Sequence, residues 1–586
     1  MFLIAKKTES TDIGAALEIL KSQLKIEPIK KNVGAHNVFL YRKKLIALEE
    51  VFIEFGSGSW IFGVGTWAYR SKIGRDGLLL FFEDVQMHKM DSSLVRGQFT
   101  FILSNNDDNL KIFTDRSGIQ NIYYTDCGVI SSSFLASVYS RKKPCSLDQQ
   151  AAYEVLTTGH IISPDTLVNE VKRFFPLAEI SAIDGCSITI INSNPSGIPE
   201  YLDYESALES QVNNLDELFK SFSDIQKYTA DFGITGGLDS RLLLSFAKKN
   251  WEKKSIRLYT NSRIVSFGHQ VVDEPISELV SESSEIDLKL GLMKDPLSLT
   301  DEEIVNTIHE SFLFFDGHVR MHIQYFEAYN TERFKLKVLG DSRFNTSGIG
   351  GEQYRNMERF NGKKWPLREF LKYKTILFVS GEALVGKEKN FFLDGLAAKV
   401  KKRLDVDDSL DFIGVKKYYN EVLNGDRLGA RNNMENKLSW FLSPFVDWKI
   451  AESAYGLTPF LLNDYFFLQS KMIGKGDSTL AQIPTDYGFT PSNGLPVKDM
   501  LKEKLLSNVP WQLFYWLRVK RLHKPGSYSF FNQLVKNASI SKYSDTVRTT
   551  LPAINIDKVL STPDVMPIAI SLGYLISNLR EKGKLI

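Results

Sequence analysis

The feature that most limits how this chain can fold is a glycine turn at residues 231–241, between an apolar run and an amphipathic run. Its sequence is Asp-Phe-Gly-Ile-Thr-Gly-Gly-Leu-Asp-Ser-Arg. Residues 228–234 predict a strand, and residues 241–250 predict a helix. Glycines at such a junction let backbone N–H groups approach a ligand closely, and a helix N-terminus favours an anion. The segment therefore predicts an anion-binding turn, with a plain glycine-rich connection as the alternative.

The side chains of this turn narrow the choice of anion. Thr235 and Ser240 offer hydroxyl donors, and Asp239 adds a carboxylate. A carboxylate beside a phosphate requires a divalent cation between the two negative groups. No Lys follows the glycines, so the turn is not a Walker A loop. The turn thus indicates a phosphate ligand bound together with a divalent cation.

The remaining patterns divide the chain into a β-rich first part and an α/β second part. Short β-rich runs separated by Asn, Asp and Gly predict strands at 51–63, 77–82, 98–103, 110–114 and 121–124, and a hairpin around Asp184-Gly185. After the glycine turn, a predicted strand at 255–260 and a predicted helix at 276–286 continue the alternation that is typical of a parallel sheet. Helical patterns dominate from about residue 365.

Composition excludes several classes of protein. The 586 residues carry 72 Lys and Arg against 70 Asp and Glu, so there is no electrostatic basis for a nucleic-acid partner. The cysteines, Cys127, Cys145 and Cys186, lack CxxC spacing and favour a reducing compartment. The apolar runs are too short to span a bilayer, and Met1 is not followed by a signal-peptide core. We therefore expect a cytoplasmic, soluble protein with no membrane partner.

The turn and several segments of the first part resemble one known family. Residues 235–240, Thr-Gly-Gly-Leu-Asp-Ser, resemble the SGGxDS pyrophosphate loop of the N-type ATP pyrophosphatases, with the first Ser replaced by Thr. Within that superfamily the chain resembles the asparagine synthetases, which place an Ntn-type glutaminase domain before the synthetase domain. The matching segments of the first part are GQFTFI at 97–102, TDRSG at 114–118, IYY at 122–124 and SSSFLA at 131–136.

The resemblance implies a fold and a domain division. Residues 1–195 would form an Ntn-like αββα sandwich. Residues 196–586 would form a doubly wound parallel-sheet domain of the adenine nucleotide α-hydrolase-like (PP-loop) type, with a helical C-terminal part. The family's glutaminase needs Cys after the initiator Met, and Phe2 stands there. The first domain is therefore expected to be an inactive scaffold, as in β-lactam synthetase and the lasso-peptide cyclases, which use an amine of the substrate.

The same resemblance assigns the ATP site and a metal site. The implied ATP-binding residues are Ile234, Thr235, Gly236, Gly237, Leu238, Asp239, Ser240, Tyr259, Thr260, Gly350 and Gly351. Residues 348–352, Gly-Ile-Gly-Gly-Glu, resemble a disrupted second pyrophosphate loop, with a surface glycine loop as the alternative. Glu352 would bind Mg²⁺ together with Asp239. Ile349 stands where the family has a catalytic acid, and Asp341 is the candidate substitute.

Further residues are assigned less directly. Asp316 lies in a turn that resembles the family's Y-D-x-P segment near the acceptor pocket, which implies substrate binding. Lys471 is the candidate for the lysine that steadies transition-state charge, with Lys475 and Lys524 as further candidates. Asp273, at the start of the helix predicted next, is either a site residue or a helix-capping acid.

Together these features predict an ATP-dependent ligase with ATP and Mg²⁺ as cofactors. The enzyme would adenylate the carboxylate of a small molecule or peptide, release pyrophosphate, and transfer the acyl group to an amine donor with loss of AMP. Peptide, natural-product and polysaccharide modification are all compatible, and a homodimer stays open. One alternative is a nucleotide-binding scaffold that has lost its chemistry. Another is a different PP-loop enzyme such as a tRNA thiolase, which would require a Cys near the loop and a basic RNA surface.

Overall fold

The computed structural model describes residues 1–6, 8–105, 109–175, 182–183, 185–191, 197–262, 273–292, 299–319, 325, 331–376, 388–509, 513, 538–560 and 565–586. The strands are β1 (Phe2–Lys6), β2 (Ile29–Val33), β3 (His36–Leu40), β4 (Phe52–Glu54), β5 (Trp60–Tyr69), β6 (Lys72–Ile73), β7 (Val95–Ser104), β8 (Leu110–Thr114), β9 (Tyr123–Thr125), β10 (Val129–Ser131), β11 (Val171–Arg173), β12 (Ala182–Ile183), β13 (Cys186–Ile190), β14 (Ala230–Gly233), β15 (Ile256–Ser262), β16 (Leu288–Leu292), β17 (Phe344–Thr346), β18 (Trp365–Pro366), β19 (Ser409–Leu410) and β20 (Trp440–Leu442).

The helices are α1 (Ile13–Leu24), α2 (Gly74–Gln86), α3 (Phe134–Tyr139), α4 (Gln149–Thr158), α5 (Tyr204–Ser221), α6 (Leu238–Asn250), α7 (Asp273–Ser284), α8 (Asp301–Phe314), α9 (Glu332–Leu339), α10 (Leu367–Ile376), α11 (Glu388–Leu404), α12 (Phe412–Lys417), α13 (Gly429–Leu438), α14 (Trp448–Ser453), α15 (Thr458–Leu461), α16 (Phe467–Gly476), α17 (Val497–Ser507), α18 (Ala538–Thr550), α19 (Ile556–Leu560) and α20 (Met566–Glu581). A π-helical segment, Tyr418–Leu428, joins α12 to α13. The chain is therefore mixed α/β, as the sequence predicts.

The first part of the chain forms two mainly antiparallel sheets. One has the order β11-β9-β10-β1-β3-β2 and the other the order β12-β13-β8-β7-β5-β4, with β6 on β5. Alternate residues of β1 point to different cores because successive side chains of a strand face opposite sides. Phe2 and Ile4 pack with the second sheet, while Leu3 and Ala5 pack with α1. The two sheets therefore lie face to face, with α1 on the outer side of the first.

The second part is built on a parallel sheet with the order β16-β15-β14-β17-β20. The chain moves outward from β14 through β15 to β16, and then returns to the other side of β14 with β17. The order thus reverses between β14 and β17. In open parallel sheets the crevice outside the carboxyl ends of the strands at such a reversal is the common place for a ligand.

The two parts share their cores. The largest apolar cluster joins Trp67 and Phe101 of the first part to Phe232 and Leu242 of the second. A second cluster joins α3 and α4 to α8 and α20. Among the residues described, no helix combines the length and the apolar character that a membrane span requires.

One predicted strand is wrong. Residues 77–82 lie inside α2, where Gly77, Leu78, Phe81 and Phe82 are buried at helical spacing against β5. A short run of consecutive apolar residues does not distinguish a buried strand from the buried face of a helix. The predicted strand at 51–63 is a hairpin of β4 and β5. The prediction at 110–114 coincides with β8, and the one at 228–234 contains the shorter β14.

Candidate functional site

The glycine turn joins the carboxyl end of β14 to the first turn of α6. The Thr235 backbone N–H donates to Ser240 Oγ at 3.1 Å, and the two hydroxyl oxygens lie 3.2 Å apart. Gly237 occupies the N-cap position of α6 and offers no side chain to cap it. The positive end of the helix and two hydroxyl groups therefore lie together at the sheet edge, which favours an anion there.

Gly236 is enclosed by neighbours on both sides. Its N–H donates to Asp273 Oδ1 at 2.8 Å, and its carbonyl accepts from the Asp486 N–H at 3.0 Å. A Cβ at this position would lie 2.9 Å from Asp486 Cβ and 3.0 Å from Ile276 Cδ1. Glycine is thus required by close approach, and Asp273 accepts a hydrogen bond from the turn as well as beginning α7.

A second glycine turn, at residues 347–352, reaches the first one from the carboxyl end of β17. A Cβ at Gly351 would lie 2.2 Å from Asp239 Oδ1, and a Cβ at Gly348 would lie 2.9 Å from the Ser240 nitrogen. Gly350 has a φ of +94°, which suits glycine. The two turns therefore touch at their glycines, with Asp239 between them.

Asp239 accepts two side-chain hydrogen bonds. Arg355 Nη2 lies 2.6 Å from Asp239 Oδ2, and Gln469 Nε2 lies 2.7 Å from Asp239 Oδ1. Burial raises the pKa of Asp239, the Arg355 charge opposes that rise, and the Glu352 charge adds to it. The two carboxylates predicted to bind Mg²⁺ are therefore close enough to repel each other.

The carboxylates at Asp239 and Glu352 are of the ligand type that Mg²⁺ prefers. Within the described part of the chain, no three His, Cys, Asp or Glu side chains form a metal site of their own. Magnesium that binds with a nucleotide needs only one or two carboxylates, because phosphate oxygens and water complete its coordination. Asp239 and Glu352 supply that number from two turns, and their mutual repulsion favours a cation between them. In this structure the cation that contacts Asp239 is Arg355.

Two cationic side chains next to the second turn, Lys416 and Arg355, were not predicted from the sequence. Lys416 is buried, and its Nζ donates to the carbonyl oxygens of Glu352 at 3.1 Å and Gln353 at 3.0 Å, and also to that of Arg355. Burial lowers the pKa of Lys416 to about 7. Lys416 is one of two adjacent lysines in the sequence, and only the tertiary structure shows which of them is buried. For Arg355, the available signal in the sequence is its position three residues after Glu352, which places a cation near the predicted metal-binding acids.

The segment after α16 completes the surroundings of the first turn. Arg241 Nη2 donates to the Pro484 carbonyl at 2.8 Å, and this buried arginine thereby holds the backbone that precedes Asp486 and Tyr487. Tyr487 Oη accepts from Arg355 Nη1 at 3.1 Å. Burial of the Asp486 carboxyl and the nearby Asp273 charge both raise its pKa.

The predicted ATP-binding residues of β15 lie beside the first turn. Tyr259 pairs with Gly233 in the sheet, and its carbonyl accepts from the Ile234 N–H at 2.9 Å. Its hydroxyl would lie 3.1 Å from a Cβ at Gly233, and burial raises its pKa to about 12. Thr260 and Leu238 are buried.

Two predicted catalytic residues are not brought to this cluster. Asp341 precedes β17 and so lies at the amino edge of the sheet, opposite the turns; its side chain is 79% exposed and accepts from Arg257 at 3.1 Å. Lys471 is on α16, but its Nζ pairs with Glu205 at 3.0 Å. Neighbouring residues on a helix point in different directions, so Gln469 reaches Asp239 while Lys471 faces solvent. Lys475 is exposed near the end of α16, and Lys524 lies outside the described residues.

The Asp316 carboxylate is hydrogen-bonded to other residues of the protein. It follows α8 with a φ of +57°, and its carboxylate accepts from Ser133 Oγ at 2.6 Å and from the Phe134 N–H at 2.6 Å. Gln23 Nε2 donates to it at 2.7 Å. Asp316 thus caps α3 and ties the two parts of the chain together, and the structure does not bring it to the glycine turns.

Comparison with known proteins adds no family to this geometry. No protein-family model matches the chain, and no curated protein matches it. The resemblance to the asparagine synthetases therefore rests on the sequence motifs.

Proposed function

We propose that this chain is an ATP-dependent amide ligase that binds Mg²⁺–ATP at the two glycine turns. The observation that carries the proposal is the position of Asp239 between turns from two neighbouring parallel strands, at the point where the sheet order reverses. In this proposal the first part of the chain is an Ntn-type sandwich and the second a PP-loop domain. The parallel order β16-β15-β14-β17-β20 and the two facing antiparallel sheets support that division.

Each group of the site has a place in the proposed reaction. The N-terminus of α6, Thr235 and Ser240 donate to phosphate oxygens. Asp239 and Glu352 would hold the metal, which when bound would offset the negative charge that builds on the leaving pyrophosphate. A substrate carboxylate attacks the α-phosphorus of ATP, pyrophosphate leaves, and an amine then displaces AMP from the acyl-adenylate. Holding the amine beside the adenylate removes most of the entropic cost of the second step.

The proposed amine comes from the substrate and not from glutamine. Phe2 is a buried, paired residue of β1, and its side chain packs in the core between the sheets. An apolar side chain at this position offers no nucleophile for glutamine hydrolysis. The first part acts instead as a scaffold for the second.

Nucleotide binding is the first test. Titration of the full chain with ATP and Mg²⁺ by calorimetry should show binding that Asp239→Asn weakens strongly. Pyrophosphate release is then measured with amino acids, short peptides and uronic acids as carboxylate substrates. Saturable ATP binding that is the same in the wild type and in Asp239→Asn would contradict the proposed site.

A nucleotide-binding scaffold without ligase chemistry is the second candidate. Three observations favour it: Ile349 stands in place of the catalytic acid, Asp341 lies at the opposite edge of the sheet, and Arg355 contacts the metal-binding carboxylate. ATP–pyrophosphate exchange separates the two candidates. Exchange that depends on one class of carboxylate supports the ligase, and tight ATP binding without exchange for any of them supports the scaffold. A thiolase is disfavoured because Cys127, Cys145 and Cys186 all belong to the first part of the chain.

A further inference from the structure

The Arg355 side chain joins the second glycine turn to the carboxylate in the first. Nη2 of Arg355 lies 2.6 Å from Asp239 Oδ2, and Nη1 donates to Tyr487 Oη at 3.1 Å. The side chain is only 8% exposed, against 25% for Asp239. Lys416 Nζ donates a hydrogen bond to the carbonyl oxygen of Arg355 and so holds the backbone of that residue. The Arg355 guanidinium is therefore held by Tyr487 at Nη1, and its Nη2 points at Asp239.

This contact occupies the carboxylate that a metal would need. Arg355 takes Oδ2 of Asp239 and Gln469 takes Oδ1. Charge-assisted hydrogen bonds of this kind are the strong ones, and a divalent cation has to displace at least one of them. A guanidinium also binds phosphate oxygens well, so a nucleotide offers Arg355 another partner.

We propose that Arg355 competes with the divalent cation for Asp239, so that the site takes up metal well only when a nucleotide phosphate draws the guanidinium away. The role of the nucleotide rests on the function proposed above, whereas the competition itself concerns the protein and the metal alone. Metal and nucleotide then bind cooperatively, and by linkage each raises the affinity of the other by the same factor. Arg355 is thus a positioning residue that couples the two ligands.

The test measures Mn²⁺ binding, as a probe for Mg²⁺, to the full chain in the absence of nucleotide, by electron paramagnetic resonance of the free ion. Arg355→Gln removes the competing charge and should tighten Mn²⁺ binding by about tenfold. Arg359→Gln is the matched control, because Arg359 lies four residues further on and pairs with Glu503 at 2.7 and 3.0 Å. Its affinity for Mn²⁺ should equal that of the wild type. Equal or weaker binding by Arg355→Gln would overturn the proposal.

Two further variants keep the test decisive. Arg355→Lys retains the charge and should bind Mn²⁺ nearly as weakly as the wild type; a gain as large as that of Arg355→Gln would overturn the competition. Tyr487→Phe removes only the hydrogen-bond acceptor of Arg355 Nη1 and should give a smaller gain in Mn²⁺ affinity. Tyr487 is 45% exposed, so the change should be tolerated. Thermal melting establishes that each variant is folded, and Tyr487→Phe decides the matter if Arg355→Gln does not fold.

The nucleotide arm separates this inference from the proposed function. In the wild type, a non-hydrolysable ATP analogue should raise the affinity for Mn²⁺, and Arg355→Gln should lose most of that increase. If no nucleotide binds while Arg355→Gln still gains affinity for Mn²⁺, the proposed function fails and the competition stands. If the nucleotide raises the affinity equally in both proteins, the coupling by Arg355 fails and the nucleotide site stands.

Discussion

The pairs Arg96–Asp447 and Arg355–Asp239 each join distant segments of this chain, and they differ in how completely the aspartate is satisfied. Asp447 accepts from Arg96 at 2.7 and 3.1 Å and from the Gly97 N–H at 3.0 Å, and it is 0% exposed. Asp239 accepts from one nitrogen of Arg355 and one of Gln469, and a quarter of its side chain is exposed. The first carboxylate is fully enclosed by its own protein, and the second is partly open to solvent.

The chemical surroundings of the two pairs differ as well. Glu352 adds negative charge beside Asp239 and helps to raise its pKa, whereas the Arg355 charge opposes that rise. Asp447 has Arg96 on one side and backbone N–H groups on the other. A structural tie requires such balance, whereas a binding site keeps part of its charge available. Asp447 thus belongs to the junction of the two parts, and Asp239 keeps the partial exposure that the proposed ligand site requires.

The largest expected effect concerns stability. Asp447→Asn leaves the buried Arg96 charge without its counter-charge and should lower the free energy of unfolding by about 3–5 kcal/mol. Asp239→Asn leaves Arg355 with the Tyr487 hydroxyl and the nearby Glu352 charge, and should cost about 1 kcal/mol. Urea unfolding of both variants measures the difference. Equal losses would remove the distinction between the two pairs.

The junction should also show a pH dependence of its own. Burial raises the pKa of Asp115 to about 6, and the nearby Asp447 charge contributes to the rise. The folded chain therefore holds a proton that the unfolded chain, with an ordinary value of 3.8, gives up, so stability falls as pH rises between these two values. The loss should be about 3 kcal/mol. Free energies of unfolding from pH 4 to 7 should fall less steeply for Asp115→Asn than for the wild type, and parallel curves would contradict this.

At the proposed ligand site, a change of Asp239 should affect binding more than stability. Asp239→Asn should weaken ATP binding in the presence of Mg²⁺ by about 100-fold, because one of the two metal carboxylates is lost. Calorimetry measures the affinity, and Asp447→Asn under conditions where it is folded provides the comparison. Loss of binding in both variants to the same degree would mean that the nucleotide affinity simply follows overall stability.

The smallest effect tests the contact between the turns. Gly351→Ala places a Cβ within 2.2 Å of the present position of Asp239 Oδ1, so the turns have to separate. ATP affinity should fall by about tenfold. Gly474→Ala is the control, because Gly474 lies in α16 and an added Cβ would meet no atom within 4 Å beyond its chain neighbours and the backbone of its own helix. That variant should bind ATP as the wild type does, and a similar loss in both would show that the contact at Gly351 is unimportant.

Local features of the fold were predictable where the chain itself carries the signal. The strand, turn and helix around Thr235–Ser240 follow from an apolar run, two glycines and an amphipathic run within about 20 residues. The hairpin at Gly185, which has a φ of +84°, follows from turn chemistry. The strand prediction at 77–82 was wrong because six consecutive apolar residues show no periodicity that distinguishes a strand from a helix.

The sites of Lys471, Asp341 and Asp316 show where sequence reasoning ends. Each belongs to a residue type and segment that suits the predicted role. Lys471 faces solvent, however, Asp341 lies at the amino edge of the sheet, and Asp316 caps α3. Which way a helix presents its side chains, and which end of a strand a residue adjoins, depends on packing between elements that are far apart in the chain.

By itself the sequence determined the first glycine turn, because its geometry depends on backbone freedom, helix capping and side chains within a few residues. It also determined the alternation that leads to a parallel sheet. The tertiary structure alone decided that Gly351, Arg355 and Gln469 surround Asp239, since these residues lie more than 100 positions away. Contacts across such distances follow from how β14, β17 and α16 pack. The identity of the partners of Asp239, on which the proposed competition depends, is therefore a property of the folded chain.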